Sequence, residues 1–333
     1  MLLLTQKILA IGNALVDIVA RIEPEALADL GVAKGGMTLV DAATSKALYA
    51  TTHNPREVSG GSAANTVAIA AGLGATASYA GKVSADTLGE IFLHDLQSQG
   101  VEVIVPAAPV EAGLHTGNCL SLITPDAQRT MCTHLGAAQA LTPADLQPAD
   151  IAAADIIFLE GYLLDAPAGR AIFETVLDET SAITALTLSD AACVERHAAF
   201  LQEKLGAFDL LFGNAEEMRA LFPDARTAQE ATALGAKTVS RVICTDGPEG
   251  VHMAEAGALI HLPALPVKVV DTTGAGDSFA GTILWALASG RPLEEAARLA
   301  LRVAAEVISE IGARPSRNLA QLLRDEGLLS EPA

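Results

Sequence analysis

Only 21 of the 333 residues are lysine or arginine, against 40 aspartates and glutamates, which leaves a formal charge of −19. Nucleic acids and anionic membranes are bound by clustered cations, so neither is expected as a partner. Cysteine is scarce as well: Cys119, Cys132, Cys193 and Cys244 stand singly among apolar neighbours, without CxxC or zinc-ligand spacing. They read as reduced core thiols. The seven histidines form no HExxH or HxxxH pair, which removes the usual helical zinc motif. No segment approaches the roughly 18 uninterrupted apolar residues of a membrane span, and the opening Met1-Leu2-Leu3-Leu4 is too short for the apolar stretch of a signal peptide. These absences point to a cytoplasmic protein whose partners are small molecules. Monomer and homodimer both stay open.

Half of the chain is apolar and its mean hydropathy is +0.36, ample for a substantial core in one large domain or two. Strand and helix patterns alternate with the spacing of a parallel sheet. Strands are expected at residues 8–11, 77–82, 155–160, 182–188, 209–212 and 242–245. Between them lie helices such as 86–99, where Leu88, Ile91, Phe92 and Leu96 share a face and Gly100 supplies the stop. Two regions break the alternation, residues 19–40 and a hairpin of 114–124 with 129–135 around Pro125-Asp126. A further hairpin at 251–262 carries no obvious chemistry.

Chemistry concentrates in Asp271-Thr272-Thr273-Gly274-Ala275-Gly276-Asp277-Ser278-Phe279-Ala280. An apolar segment, 267–270, runs into a Gly-Ala-Gly turn and then the helical pattern Phe279, Ile283, Leu284, Leu287. Small residues let backbone N–H groups at Gly274, Ala275 and Gly276 turn toward one point, and a helix N-terminus adds about half a positive charge there. Asp277 stands beside this anion hole, where it could deprotonate a hydroxyl attacking a phosphate. A Gly-rich turn with an Asp cap has the same appearance. A second segment, Ser59-Gly60-Gly61-Ser62-Ala63-Ala64-Asn65-Thr66, precedes an Ala-rich helix, with Asn65 on its first turn facing any ligand over the glycines. There is no GxxxxGK[ST], so the Gly274–Asp277 turn would have to serve in place of a Walker A loop.

GGSAANTVAIAAGLG near the start and DTTGAGDSFAGTILWAL near the end together resemble the two characteristic segments of the ribokinase family, also called the PfkB carbohydrate kinase family. The similarity continues through Gly12 to Ile18, Asp209 to Glu217 and Thr245 to Gly250, and covers roughly residues 7–316. It implies an α/β, ribokinase-like three-layer fold with a mostly parallel central sheet. A small β-strand lid, formed by about 13–60 and 108–136, would be inserted into a single kinase domain spanning 1–333. ATP and Mg²⁺ are the implied cofactors. Asp17 ends a strand-like segment beside Asn13, where a carboxylate can accept from two vicinal hydroxyls or cap a turn; in the resemblance it grips the acceptor's hydroxyls with Asn13, Gly60, Gly61 and Asn65. Arg129, at the start of the second lid strand, bridges transferring phosphate oxygens. Asn214 and Glu217 form an Asn-x-x-Glu pattern near Mg²⁺ and the phosphates, with Asn214 on the nucleotide and Glu217 holding the ion through water; the same spacing is also a plain capping arrangement. Thr245, Gly247 and Gly250 approach the nucleotide, and Asp271 and Thr273 match the neighbourhood of a monovalent cation such as K⁺.

Within the family, residues 12–18, 160–164, 187–189 and 209–217 look more like adenosine kinases than sugar kinases. In that branch Tyr162 would stack on the purine, a contact worth on the order of 1–3 kcal/mol at comparable sites. With aromatics at 4% of the chain, a ring at this position is telling. Met37 departs from the pattern, since animal adenosine kinases place a polar Gln there and Met cannot reproduce an amide's hydrogen bonds. The expected reaction is phosphorylation of the primary hydroxyl of a nucleoside, adenosine foremost, with Asp277 as general base. A free pentose or hexose is the alternative acceptor.

Overall fold

The apolar run Lys7–Ile11 is buried from Ile8 onward, and Ile156–Glu160 is buried throughout. Strands of this kind need cover on both faces, the condition of an inner parallel strand. The structure, a computed structural model describing residues 6–23, 27, 36–52, 54–124 and 129–330, places them side by side at the centre of a nine-stranded sheet. In chain order its strands are β1 (Lys7–Ile11), β5 (Thr76–Ala80), β6 (Val101–Val103), β9 (Ile156–Glu160), β10 (Ile183–Thr187), β11 (Leu210–Asn214), β12 (Arg241–Thr245), β13 (Val251–Glu255) and β14 (Ala258–Leu262). The spatial order is β14-β13-β12-β11-β10-β9-β1-β5-β6. All pairings are parallel except the closing hairpin, where β13 runs antiparallel to both β12 and β14.

Successive side chains of a strand point to opposite faces, so the sheet builds two cores. Ile8, Ala10, Phe158, Leu210, Phe212 and Ile243 enter one, under helices α2 (Ser62–Gly72), α3 (Thr87–Ser98), α9 (Ala275–Ala288), α10 (Leu293–Val307) and α11 (Leu319–Asp325). Leu9, Ile11, Ile157, Leu159, Leu211 and Val242 enter the other, under α4 (Pro148–Ala153), α5 (Gly169–Glu179), α6 (Ala191–Lys204), α7 (Ala215–Leu221) and α8 (Ala228–Gly235). This is the three-layer α/β architecture expected.

A second sheet collects what broke the alternation: β2 (Leu15–Arg21), β3 (Gly36–Leu39), β4 (Arg56–Gly60), β7 (Gly117–Ile123) and β8 (Arg129–His134), ordered β3-β8-β7-β2-β4, with α1 (Ala42–Ala50) beside it. Along β2 burial alternates strictly. Val16, Ile18 and Ala20 join the first core with Leu120, Leu122 and Cys132. Residues 125–128, around which the hairpin was expected to turn, lie outside the described residues.

Local signals hold well. Asp86 caps α3 by accepting from the Gly89 N–H at 2.9 Å, and Gly100 ends it with φ of 84°. Residues 267–270 form no strand, and Val269 and Val270 are more than half exposed. Among the described residues no helix is long and apolar enough to cross a membrane.

Candidate active site

Ligands of such sheets collect beyond the carboxyl ends of the parallel strands, where the strand order changes direction, here at β1 between β5 and β9. Asn13, Glu160, Ser189, Asn214 and Thr245 all follow or end these strands. α9 approaches the same edge with its N-terminus. Its cap is Gly274, at φ of 75°, and no side chain closes the helix end. A Cβ at Gly274 would stand 2.5 Å from the Ala313 carbonyl oxygen, so the turn depends on a glycine packed against the loop after α10.

Asp277 is the third residue of α9. It is not the cap, and its carboxylate is held from both sides: Oδ1 accepts from Ser62 Oγ at 2.7 Å and Oδ2 from Asn65 Nδ2 at 2.9 Å. Both partners lie on the first turn of α2, so the two glycine-rich segments, more than 200 residues apart, form one site. Burial raises the Asp277 pKa, opposed by the bonds from Asn65 and Ser62 and by the Arg314 charge. Of the three backbone N–H groups assigned to the anion hole, that of Ala275 bonds to the Thr272 carbonyl at 3.2 Å. Gly276 is exposed and no side-chain cap covers it.

A cleft of about 850 Å³ extends from this point. Ser62, Ala275, Gly276 and Asp277 line one part; Asn214, Glu217, Thr245, Gly247 and Gly250 line the floor; Leu265, Pro266, Val267, Val269 and Ile308 make an apolar wall. The four predicted nucleotide residues and Glu217 therefore share one cavity with the predicted base.

Asn214 and Glu217 also make the capping box that their spacing allows: the Asn214 side chain accepts from the Glu217 N–H at 2.9 Å, and Glu217 accepts from the Asn214 N–H at 3.0 Å. Burial, with the charges of Asp190, Asp277 and Glu216, raises the Glu217 pKa to about 7. Asp271 fastens its loop, accepting from the Thr273 N–H at 3.0 Å, the Thr273 hydroxyl at 2.8 Å and the Gly312 N–H at 2.9 Å.

The predicted acceptor residues sit outside the cleft lining. Asp17 is mid-strand in β2, not at a strand end as the sequence suggested, and its carboxylate lies against the Gly60 Cα, where a Cβ would meet Asp17 Cγ at 2.3 Å. A turn or cap role is thereby removed. Gly61 packs its backbone on the Asn13 carbonyl. Asn13 is buried, and its Oδ1 has no hydrogen-bond partner among the described residues. Asn65 is buried with both polar ends engaged, toward Asp277 and Arg314. Tyr162 is half-buried behind Ser189, which accepts from its N–H at 3.4 Å. Burial, then the charges of Asp190, Glu217 and Glu160, push its phenol up. Met37 is on β3, paired in register with Met131, at the far edge of the second sheet. Arg129 opens β8 opposite Ile123, and its side chain lies outside the described residues.

Over residues 36–319 the sequence matches the profile of the pfkB family carbohydrate kinases. The chain belongs to this family. Ribokinase of Bacillus subtilis is 30% identical over 271 residues, covering 78% of this chain and 86% of that one. The crystal structure of a probable sugar kinase from Rhizobium etli superposes with a TM-score of 0.89 at 33% identity, covering 98% and 99% of the two chains. That of adenosine kinase from Sinorhizobium meliloti gives 0.87 at 36% identity, covering 97% and 99%. The protein is a kinase.

Four residues of this candidate site escaped the sequence reading. Ser62 was seen only as part of its segment. Glu160, 1% exposed, accepts from the N–H groups of Asn13 at 2.7 Å and Ala63 at 2.8 Å, joining the chain's exit from β1 to the start of α2. Burial raises its pKa to about 7, and a carboxylate closing the apolar run Ile156–Leu159 was a readable signal. Ser189 lines the cleft at φ of 72°, a rare conformation for a side chain with a Cβ and one that collects at functional sites. Arg314 sits in an irregular loop where no pattern announces it. Outside the site, Asp165, Cys193 and His197 come within metal-binding distance of one another. Asp165 is already engaged by Arg196 at 2.6 Å and by His197 Nε2 at 2.8 Å.

Proposed function

We propose that this kinase transfers the γ-phosphoryl group of ATP to the primary hydroxyl of a nucleoside, adenosine being the acceptor best supported, with Asp277 as general base. The observation that carries the reading is the Asp277 carboxylate, held by Ser62 and Asn65 at the open N-terminus of α9 and facing the 850 Å³ cleft. The acceptor O–H gives its proton to Asp277 as its oxygen bonds to the γ-phosphorus, and ADP leaves with the electrons of the broken P–O bond. The partial positive charge of the helix N-terminus and the Gly276 N–H stabilise the transferring group. The apolar wall of Val267, Val269 and Ile308 takes the nucleotide base.

The donor set fits Mg²⁺. Burial, with a lesser contribution from the Asp277 charge, raises Glu160 and Glu217 to about 7, and Glu217 brings to the cleft lining the oxygen ligands that a hard cation prefers. Glu217 would hold the ion through water, together with the nucleotide phosphates, and the ion would draw charge from the phosphoryl oxygens. The second sheet would act as a lid, with Asp17 and Asn13 brought over the acceptor and the unpartnered Asn13 Oδ1 available to a hydroxyl donor. The place of such an enzyme is cytoplasmic.

Adenosine is favoured by the likeness to the Sinorhizobium enzyme over nearly the full chain. The likeness to ribokinase favours a free pentose instead. ATP consumption measured with adenosine, inosine, guanosine, ribose and fructose separates them. The expected result is a kcat/KM for adenosine at least about 10²-fold above that for ribose, the discrimination a site built for the missing groups can supply. A preference for ribose or fructose overturns the nucleoside reading.

A further inference from the structure

Arg314 has no part in the reaction as drawn, yet its contacts are directional. It lies in the loop between α10 and α11, largely enclosed, at 13% side-chain exposure. Its Nε donates to Asn65 Oδ1 at 3.0 Å, while Asn65 Nδ2 donates to Asp277 Oδ2 at 2.9 Å. An asparagine amide is nearly symmetric in shape, so its orientation is set by its partners. With its oxygen toward Arg314, its NH₂ group faces the carboxylate. Turned over, it would set oxygen against oxygen at Asp277 and donor against donor at Arg314. The guanidinium is fixed in its turn by Nη1, which donates to Ser59 Oγ at 2.7 Å and to Asp95 Oδ2 at 3.2 Å. Ser59 also donates its N–H to Asp95 at 3.1 Å and immediately precedes Gly60 and Gly61.

We propose that Arg314 is a positioning residue that acts through Asn65 to set the Asp277 carboxylate for phosphoryl transfer. The inference rests on Asp277 being the base. One fork then spans the β4 end that carries the glycines, the first turn of α2 and, through it, α9. An arginine placed only to hold a loop would satisfy its donors within the fold. Here Nη2 is enclosed and has no hydrogen-bond partner among the described residues, a penalty that loop anchoring does not explain. The Nε contact explains it, because the planar group can serve Asn65 and Ser59 only in this pose. Burial holds the Arg314 pKa below its ordinary value, opposed by the charges of Asp95, Asp17 and Asp277.

A double-mutant cycle on the full chain tests the assignment, with ATP·Mg²⁺ and adenosine, or ribose where the acceptor panel selects it. Arg314→Ala and Asn65→Ala should each lower kcat by at least about tenfold with the KM for ATP changed by less than about twofold, and the double variant should be no slower than the worse single one, because both act through a single contact. Losses that multiply, or a normal kcat in Arg314→Ala, overturn the proposal. Arg314→Lys keeps a charge but lacks the Nε fork, and should stay at least about fivefold slow with an unchanged urea midpoint; full activity in it also overturns the proposal, and it decides the question if the alanine variant fails to fold. Asp277→Asn in the same series separates the two layers: turnover within about tenfold of normal removes the base assignment itself, whereas a loss of about 10²-fold or more with independent Arg314 and Asn65 effects removes only the positioning role.

Discussion

Single residues set the geometry of the candidate site. Gly60 shows how narrow the tolerance is: with a Cβ 2.3 Å from Asp17 Cγ, Gly60→Ala must push the carboxylate off its place. The expected outcome is an acceptor KM at least about tenfold higher with the ATP KM unchanged, because the nucleotide cleft lies elsewhere. An unaltered acceptor KM in steady-state kinetics would show that Asp17 does not touch the acceptor. Residues of this kind were legible when composition and neighbours both restricted them. The place of Asp277 at a helix start beside a cleft was readable because a Gly-Ala-Gly turn before an apolar helix has few uses, and the capping box of Asn214 with Glu217 because their spacing allows it. Arg314 was illegible for the opposite reason. An arginine in a Gly- and Pro-containing loop is ordinarily solvated, and only the fold brings it 3.0 Å from an asparagine 249 positions away.

Elements carry the next level of constraint, and α9 is the one on which the site turns. Its cap glycine combines a positive φ with a backbone neighbour, whereas Gly74, which follows α2, has φ of 104° and nothing within 4 Å of an added Cβ. Gly74→Ala should therefore cost about 1 kcal/mol, the strain alone, and Gly274→Ala should cost at least about 2 kcal/mol more as Ala313 is displaced. Urea unfolding of the two variants checks this; equal losses would mean that the Ala313 loop yields freely. Continuous buried runs such as Ile8–Ile11 fixed the inner strands to within one or two residues, since period and burial leave no other use for them. The apolar segment 267–270 was a different case. Hydropathy does not separate a side chain facing the core from one facing a ligand, and Val269 is both 55% exposed and part of the cleft wall.

Across the whole molecule the dominant electrostatic fact is carboxyl groups buried close to one another: Glu160, Glu217 and Asp277 are all raised, chiefly by burial. In the ligand-free protein Glu160 and Glu217, raised from 4.5 to about 7, bind protons that the unfolded chain has already released. A raised carboxyl pKa makes the folded state the better proton binder, so stability is greatest below about 4.5 for these two groups and is lost as pH rises toward about 7. The groups held low, Asp86, Asp145 and Asp165 among them, stabilise only above their ordinary range near 3.8, and lose that contribution as pH falls further. Urea unfolding of ligand-free protein should thus show a decline of a few kcal/mol from pH 5 to pH 8, at about 1.4 kcal/mol per tenfold change in proton affinity. A flat profile would show that both glutamates are already ionised at pH 5. Sheet order was the least legible property at this scale, because a strand pattern records burial and not which neighbour a crossover selects. The contacts of Arg314 with residues 59 and 65 carry one last implication, for biosynthesis. A ribosome that has delivered residues 1 to 300 has already made both glycine-rich segments and most of the residues that line the cleft, yet Arg314 is still missing. On the positioning role proposed for Arg314, the two glycine-rich segments would reach their working geometry only once the loop after α10 has docked behind them.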